Sequence, residues 1–245
     1  MLHREADEIG RGIHPVRYIY NTFSNPQDIT IIVWDGSYSR KKRQELYPPY
    51  KDHRMTPQES TKRMFELTKG VLRFTPIIQV ECHEWEADDV IYTLVKANDH
   101  EDITVVSNDG DFWQFSDKAK LPLVSDVWKN FSPEDCILFK CLVGDSGDNI
   151  PGLKGFGKGT FNNKTDSGIR RELLSAIETK DIFRFQNAMK WPRRVQINQG
   201  IFRQVCLFHK LVKCWDVPKE EISAGTFLGQ SNDFAAQIFM KKFLL

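Results

Sequence analysis

Between Val105 and Thr160 the sequence places four aspartates in two short pairs, followed directly by a glycine-rich basic turn. Asp109 and Asp111 form the first pair, within Ser107-Asn108-Asp109-Gly110-Asp111. Asp145 and Asp148 form the second, within Val143-Gly144-Asp145-Ser146-Gly147-Asp148-Asn149-Ile150-Pro151. The turn reads Gly152-Leu153-Lys154-Gly155-Phe156-Gly157-Lys158-Gly159-Thr160. Hard cations such as Mg²⁺ take carboxylate oxygens, and two neighbouring ions can clamp a phosphodiester during in-line displacement. Glycines let a backbone approach phosphate, and lysines neutralise it. Metal-binding acids beside a phosphate-binding turn point to nuclease chemistry.

The same turn fits G-x-x-x-x-G-K, the phosphate loop of ATPases, from Gly152 to Lys158. That loop needs Ser or Thr next, to hold Mg²⁺, and the next residue is Gly159. The preceding segment also reads as a helix plus Asp-Asn-Ile-Pro, not as a buried strand. The pattern argues against an NTPase.

Several elements must position these groups. The β-branched run Asp28-Ile29-Thr30-Ile31-Ile32-Val33-Trp34 predicts a buried parallel strand, with Asp35 at its carboxyl end. Ahead of it, Ile13, Val16, Arg17, Ile19, Tyr20 and Phe23 supply a helical face, with Pro15 near the helix start. Thr56-Pro57-Gln58-Glu59 has capping-box spacing and predicts a helix running to about Phe74. A short strand follows at Ile77–Val80. Glu86-Ala87-Asp88-Asp89 opens the next helix; acids there are favoured by the helix dipole, so capping alone could explain them. Ile103–Ser107 predicts another buried strand, ending at Asp109 and Asp111, and Phe112, Trp113 and Phe115 read as core. Strand and helix alternate in this half, which predicts a parallel sheet flanked by helices. From Pro133 the pattern turns helical: 133–143 capped by Ser132, then about 169–179, 181–191, 196–214 and 232–243.

Tyr47, Tyr50, Lys51 and Arg54 have i, i+3, i+4, i+7 spacing, so any helix there gathers them on one face. Aromatic rings stack on bases and cations meet phosphate, which makes a DNA-facing surface. The alternative is a loop whose tyrosines pack down.

Composition sets the bounds. The 245 residues suffice for one large domain, and 40% hydrophobic residues permit a core. A net charge of +1 does not announce a nucleic-acid binder. If the acids gather in one site, however, the rest of the surface is more basic than the sum. Arg40-Lys41-Lys42-Arg43, Lys62-Arg63 and Arg193-Arg194 are the basic clusters. Cys82, Cys136, Cys141, Cys206 and Cys214 show no zinc spacing and read as reduced core thiols. With no long apolar run and no leader pattern, a soluble, cytoplasmic protein without membrane contact is expected.

Four ordered motifs over residues 34–160 resemble the 5′-nuclease family, which comprises flap endonucleases and 5′→3′ exonucleases. They are Trp34-Asp35-Gly36 with Tyr47-Pro48-Pro49-Tyr50-Lys51-Asp52-His53-Arg54, then Glu86-Ala87-Asp88-Asp89, Ser107–Asp111, and Val143–Thr160. The resemblance implies a PIN-like α/β fold: a parallel sheet flanked by helices, a helix–three-turn–helix element and an α-rich C-terminal half. Residues 1–130 would form the nuclease core, with an arch at about 36–56. Residues 131–245 would form the helical part, with the three-turn element at about 136–165. The two parts would make one continuous unit.

It also implies two Mg²⁺ or Mn²⁺ ions. Asp35, Glu86, Asp88 and Asp89 would group around the first, and Asp109, Asp111, Asp145 and Asp148 would serve the second. Asp35, Asp109, Lys51 and Arg54 would be catalytic. Tyr50, Lys51, Arg54, Gly152, Lys154, Gly155, Gly157, Lys158 and Thr160 would bind DNA, with K⁺ at the three-turn element. The activity implied is removal of flaps or RNA primers at 5′ ends by a monomer working beside replication proteins, phage nucleases being the nearest type. The family's usual first strand, ending in Asp-Gly, has no counterpart in a sequence starting Met1-Leu2-His3-Arg4. Either the natural enzyme is longer, or this form lacks one ligand and is a junction-binding protein that cleaves poorly.

Overall fold

The run Ile31–Trp34 forms strand β1 in the computed structural model, which describes residues 15–23, 26–190 and 197–243. In chain order the first elements are α1 (Pro15–Phe23), β1, α2 (Lys41–Leu46), α3 (Glu59–Leu72), β2 (Ile78–Glu81) and α4 (Ala87–Ala97). Then come α5 (Pro133–Val143), α6 (Lys158–Lys164), α7 (Ser167–Glu178), α8 (Ile182–Met189) and α9 (Gln199–Val212). The last are α10 (Lys219–Ala224), β3 (Thr226–Leu228) and α11 (Asp233–Lys242). Two units result, each drawn from separated stretches of chain.

The first unit takes its described residues from Met1–Ser37, Met55–His83 and Pro218–Leu245. β1 and β2 pair in parallel, with Ile31 opposite Ile78 and Trp34 opposite Glu81. β3, which the sequence did not reveal, pairs antiparallel with β2, Phe227 opposite Gln79. Among the described residues the order β1-β2-β3 leaves β1 at an edge, and Ile31 is 42% exposed. The strand expected to be buried is half covered. Helix α1 forms as expected, and Val16, Ile19 and Tyr20 pack with Val71 and Leu72 of α3 and Met240 of α11. Ile13 lies outside the described residues. At the end of β1 the Asp35-Gly36 corner lies against the backbone just past β2. A Cβ on Gly36 would sit 2.0 Å from the Cys82 carbonyl oxygen, so only glycine fits there.

The expected cap of α3 moves. Its first bonds are donated by Thr61 and Lys62 to the Gln58 carbonyl, so the helix starts at Glu59, and Thr56 and Pro57 stay outside it.

The second unit comprises Tyr38–Arg54 and Glu84–Val217. Its centre is α5, whose Leu138 and Leu142 pack with Phe156, Phe161, Leu173 and Phe202. Ser132 caps α5 by accepting from the Asp135 N–H, with Pro133 in the first turn, as the sequence predicts. The stretch 103–107 is not a regular strand. It makes one parallel bridge, Thr104 with Lys120, and Val106 is exposed. Phe112 and Phe115 are buried as expected. All five thiols are free; four are buried and Cys206 is partly exposed. No described helix is long and apolar enough to cross a membrane.

Candidate active site

Pro48 and Pro49 break the helical face expected of residues 47–54. A proline lacks the N–H a helix needs and forces its predecessor into extended backbone, so α2 ends at Leu46 and Tyr47 is extended. The chain then turns through Lys51, whose φ is +50°. Tyr47 packs edge-on against Phe208, and Tyr50 is buried with its hydroxyl donating to Glu86 (2.9 Å) and Asp148 (3.2 Å). The tyrosines pack down, and Tyr50, expected to face DNA, is 2% exposed. Lys51 is buried too, its ammonium between Glu86 and Asp148. Of this set only Arg54 is well exposed, donating to the Gly147 carbonyl (3.1 Å) and Asp148 (3.1 Å).

Asp35 belongs to the first unit, and the geometry that follows is that of the seven other predicted acids, all in the second. Five of them form two groups. Asp88, Asp109 and Asp111 bring carboxylate oxygens within 4.8 Å of one another, and so do Asp111, Asp145 and Asp148. Asp111 belongs to both. Each arrives by a local device. The Asp109 side chain caps the 3₁₀ turn Gly110–Phe115 by accepting from the Asp111 N–H (2.9 Å). Asp145 accepts from the Gly147 N–H (2.9 Å) and exchanges two backbone hydrogen bonds with Ile150. Asp88 lies in the first turn of α4.

Glu86 and Asp89, expected among the first ion's ligands, stand in neither of these two groups. Glu86 is the N-cap residue of α4, yet its side chain makes no cap. It meets Lys51, Tyr50 and Arg43 instead. Asp89 is fully buried against Arg43 and the Trp215 N–H. Burial works against ionised Glu86, but Lys51 and Arg43 outweigh it and hold its pKa below the ordinary value.

Lys140, which sequence reasoning missed, sits between the second group's acids. Its ammonium contacts Asp111 and lies 2.8 Å from Asp145. A lone lysine within the apolar run Ile137–Val143 was the available signal. Burial disfavours its charge, yet Asp111 and Asp145 more than compensate and raise its pKa. Burial also acts on Asp145, and Lys140 with two backbone N–H groups overcomes it, leaving that acid low. Asp111 goes the other way: burial raises it to about 6, Lys140 opposing and Asp109 adding.

This shift carries a sign. The folded chain holds the Asp111 proton more tightly than the unfolded chain. The resulting stability is full below the ordinary 3.8 and is lost as pH rises through about 6. A divalent ion needs the ionised form, so proton and ion compete. The Mn²⁺-induced rise in melting temperature is therefore expected to be small at about pH 5 and large at about pH 7.5. Equal rises at both would show that Asp111 takes no part.

The donor chemistry fits hard divalent cations, since both groups consist of aspartate alone. The glycine turn follows directly. Leu153 and Phe156 are buried anchors, while Lys154, Gly155, Gly157, Lys158 and Gly159 are exposed. Gly157 and Gly159 face open space. Gly144 and Gly152 lie where two backbone strands cross, at φ +103° and +66°. A Cβ on Gly152 would stand 2.5 Å from the Gly144 nitrogen. Gly152→Ala is expected to cost about 3 kcal/mol, a fall of roughly 6–12 °C in melting temperature. A fall below about 2 °C would refute the steric account.

Residues 13–137 match the family of 5′-3′ exonucleases, N-terminal resolvase-like domain. DNA polymerase I of Thermus thermophilus is 30% identical over 186 residues, 71% of this chain and 21% of that protein. The 5′-3′ exonuclease of Bacillus subtilis is 33% identical over 146 residues, 53% of this chain and 49% of that protein. The matched stretch thus spans about a fifth of the polymerase and half of the exonuclease. In fold, the chain resembles T5 5′-exonuclease with divalent metal ions (zinc) bound, at TM-score 0.51 and 24% identity over 94% of this chain and 87% of that one. T5 D15 protein co-crystallised with metal ions gives 0.52 at 22% identity, with the same coverage.

Proposed function

The chain belongs to the 5′-nuclease family, and from that premise we propose that it is a metal-dependent, structure-specific 5′ nuclease hydrolysing DNA phosphodiesters. The observation that carries the reading is the pair of aspartate groups joined through Asp111. Asp88, Asp109 and Asp111 would hold one Mg²⁺ or Mn²⁺, and Asp111, Asp145 and Asp148 the other; Asp35 is assigned a part by resemblance alone. Two ions so held supply charge stabilisation and water activation during in-line displacement. The protein's own groups do the rest. Lys51 and Lys140 fix the acids and offset their mutual repulsion. Arg54, exposed beside Asp148, is suited to a phosphate of the substrate. Lys154, Lys158, Gly155, Gly157 and Thr160 would hold duplex phosphates through charge and open backbone, with K⁺ at the same turn. Such contacts carry no base code, so recognition would be of structure, a flap or primer at a 5′ end.

The test is a 5′-labelled flap duplex incubated with Mg²⁺, with Mn²⁺ and with chelator. Junction cleavage only with metal supports the reading. Binding without cleavage in every condition would overturn it in favour of a junction-binding protein.

A further inference from the structure

Arg43 ends the basic cluster Arg40-Lys41-Lys42-Arg43, and it is the buried member of the four, 5% exposed. A guanidinium has five donor hydrogens in a rigid fork. Here the three nitrogens meet five acceptors. Nε donates to the Leu211 carbonyl (3.0 Å). Nη1 donates to Glu86 Oε2 (2.8 Å) and Asp89 Oδ2 (2.6 Å). Nη2 donates to Asp89 Oδ1 (2.8 Å) and the Lys213 carbonyl (3.2 Å). Its face lies 4.3 Å from the Trp215 ring.

Asp89 is equally committed. It is 0% exposed, takes the bidentate fork and accepts the Trp215 N–H as well (2.8 Å). No second cation has room on a carboxylate so enclosed. We infer that Arg43 is a positioning residue with Asp89 as its buried counter-ion, and that Asp89 does not ligate metal. The pair ties the first turn of α4 to α2 and to the chain beyond α9. That turn also carries Asp88, which joins Asp109 and Asp111. Arg43 thus acts on the acid groups through backbone placement, without touching substrate.

The inference rests on the nuclease reading for its kinetic arm only. Melting temperature and Mn²⁺ titration report on the pair whether or not the chain cleaves. The experiment is a double-mutant cycle of Arg43→Gln and Asp89→Asn in the full chain, with Asp88→Asn as reference. Each single variant is expected to lower the melting temperature by about 10 °C, since a buried charge loses its partner. Arg43→Gln should lower kcat about tenfold and leave KM for the flap within about twofold. In the Arg43→Gln background, Asp89→Asn should add almost nothing to either the melting temperature or the Mn²⁺ midpoint. Asp88→Asn should still raise that midpoint about tenfold there. If Asp89→Asn raises the Mn²⁺ midpoint about tenfold in both backgrounds, Asp89 binds the ion and the inference fails. Full additivity in melting temperature would also overturn it. Should Arg43→Gln be too unstable to purify, Arg43→Met, which fills the site without a charge, gives the same cycle.

Discussion

Replacing Asp111 with asparagine is expected to lower metal-dependent flap cleavage by about three orders of magnitude, with flap binding within about threefold. The size follows from position. Asp111 is the one acid common to both aspartate groups, so its loss weakens two ion sites at once. Asp109 belongs to one group and is exposed. Asp109→Asn should therefore cost roughly tenfold less than Asp111→Asn. Asparagine keeps the shape and removes the charge, so the local turn survives. Single-turnover cleavage in Mg²⁺, beside equilibrium binding of the same flap in chelator, separates chemistry from recognition. If Asp111→Asn cleaves within about tenfold of wild type, the shared carboxylate is not the hinge of the chemistry.

Lys140→Met should show the largest loss of stability, and the loss should depend on metal. The lysine is buried, and its ammonium is held by Asp111 and Asp145. Removing one partner of a buried ion pair costs about 3–5 kcal/mol, because the other charge stays behind. A fall of about 6–20 °C in chelator follows for a chain of this size. Part of the cost is avoided at low pH, where Asp111, already raised to about 6, takes up a proton. The loss should therefore grow as pH rises above about 6. Saturating Mn²⁺ should restore much of it, since the ion brings the missing positive charge to the same oxygens. A fall of equal size with and without Mn²⁺ would mean that Lys140 supports packing alone.

Much of this site can be read in one sequence, because the acids and the glycine turn lie close together along it. Asp109, Asp111, Asp145 and Asp148 are recognisable from types and spacing, and the structure places them in the two groups. What spacing cannot give is direction. Glu86, Asp88 and Asp89 are near neighbours in sequence, yet only Asp88 joins a group, while the other two meet Arg43. Arg43 and Lys140 are hidden for opposite reasons. One lies in a run of surface cations, and the other in a run of core residues. The fold was similarly uneven. Long helices announced themselves, whereas β3 has three residues and too little pattern to register. Residues 103–107 have strand composition and, among the described residues, meet a partner only through the Thr104–Lys120 bridge. The helical spacing of Tyr47, Tyr50, Lys51 and Arg54 was real arithmetic defeated by two prolines. Arg193-Arg194 lie outside the described residues.

The crossing of Gly144 and Gly152 has a bearing on engineering. The chain leaves α5, runs out through Asp145 and Asp148, and returns to its departure point, where the Leu153 N–H donates to the Leu142 carbonyl at 2.8 Å. Residues 145–151 are in effect a cassette with adjoining ends. Its length is decoupled from the spacing of α5 and α6, because the seam at its base, and not the cassette, sets where α6 begins. The cassette's acids, in contrast, stay tied to Lys51 and Lys140, so exchanging them would leave buried charges unpaired while the seam itself held.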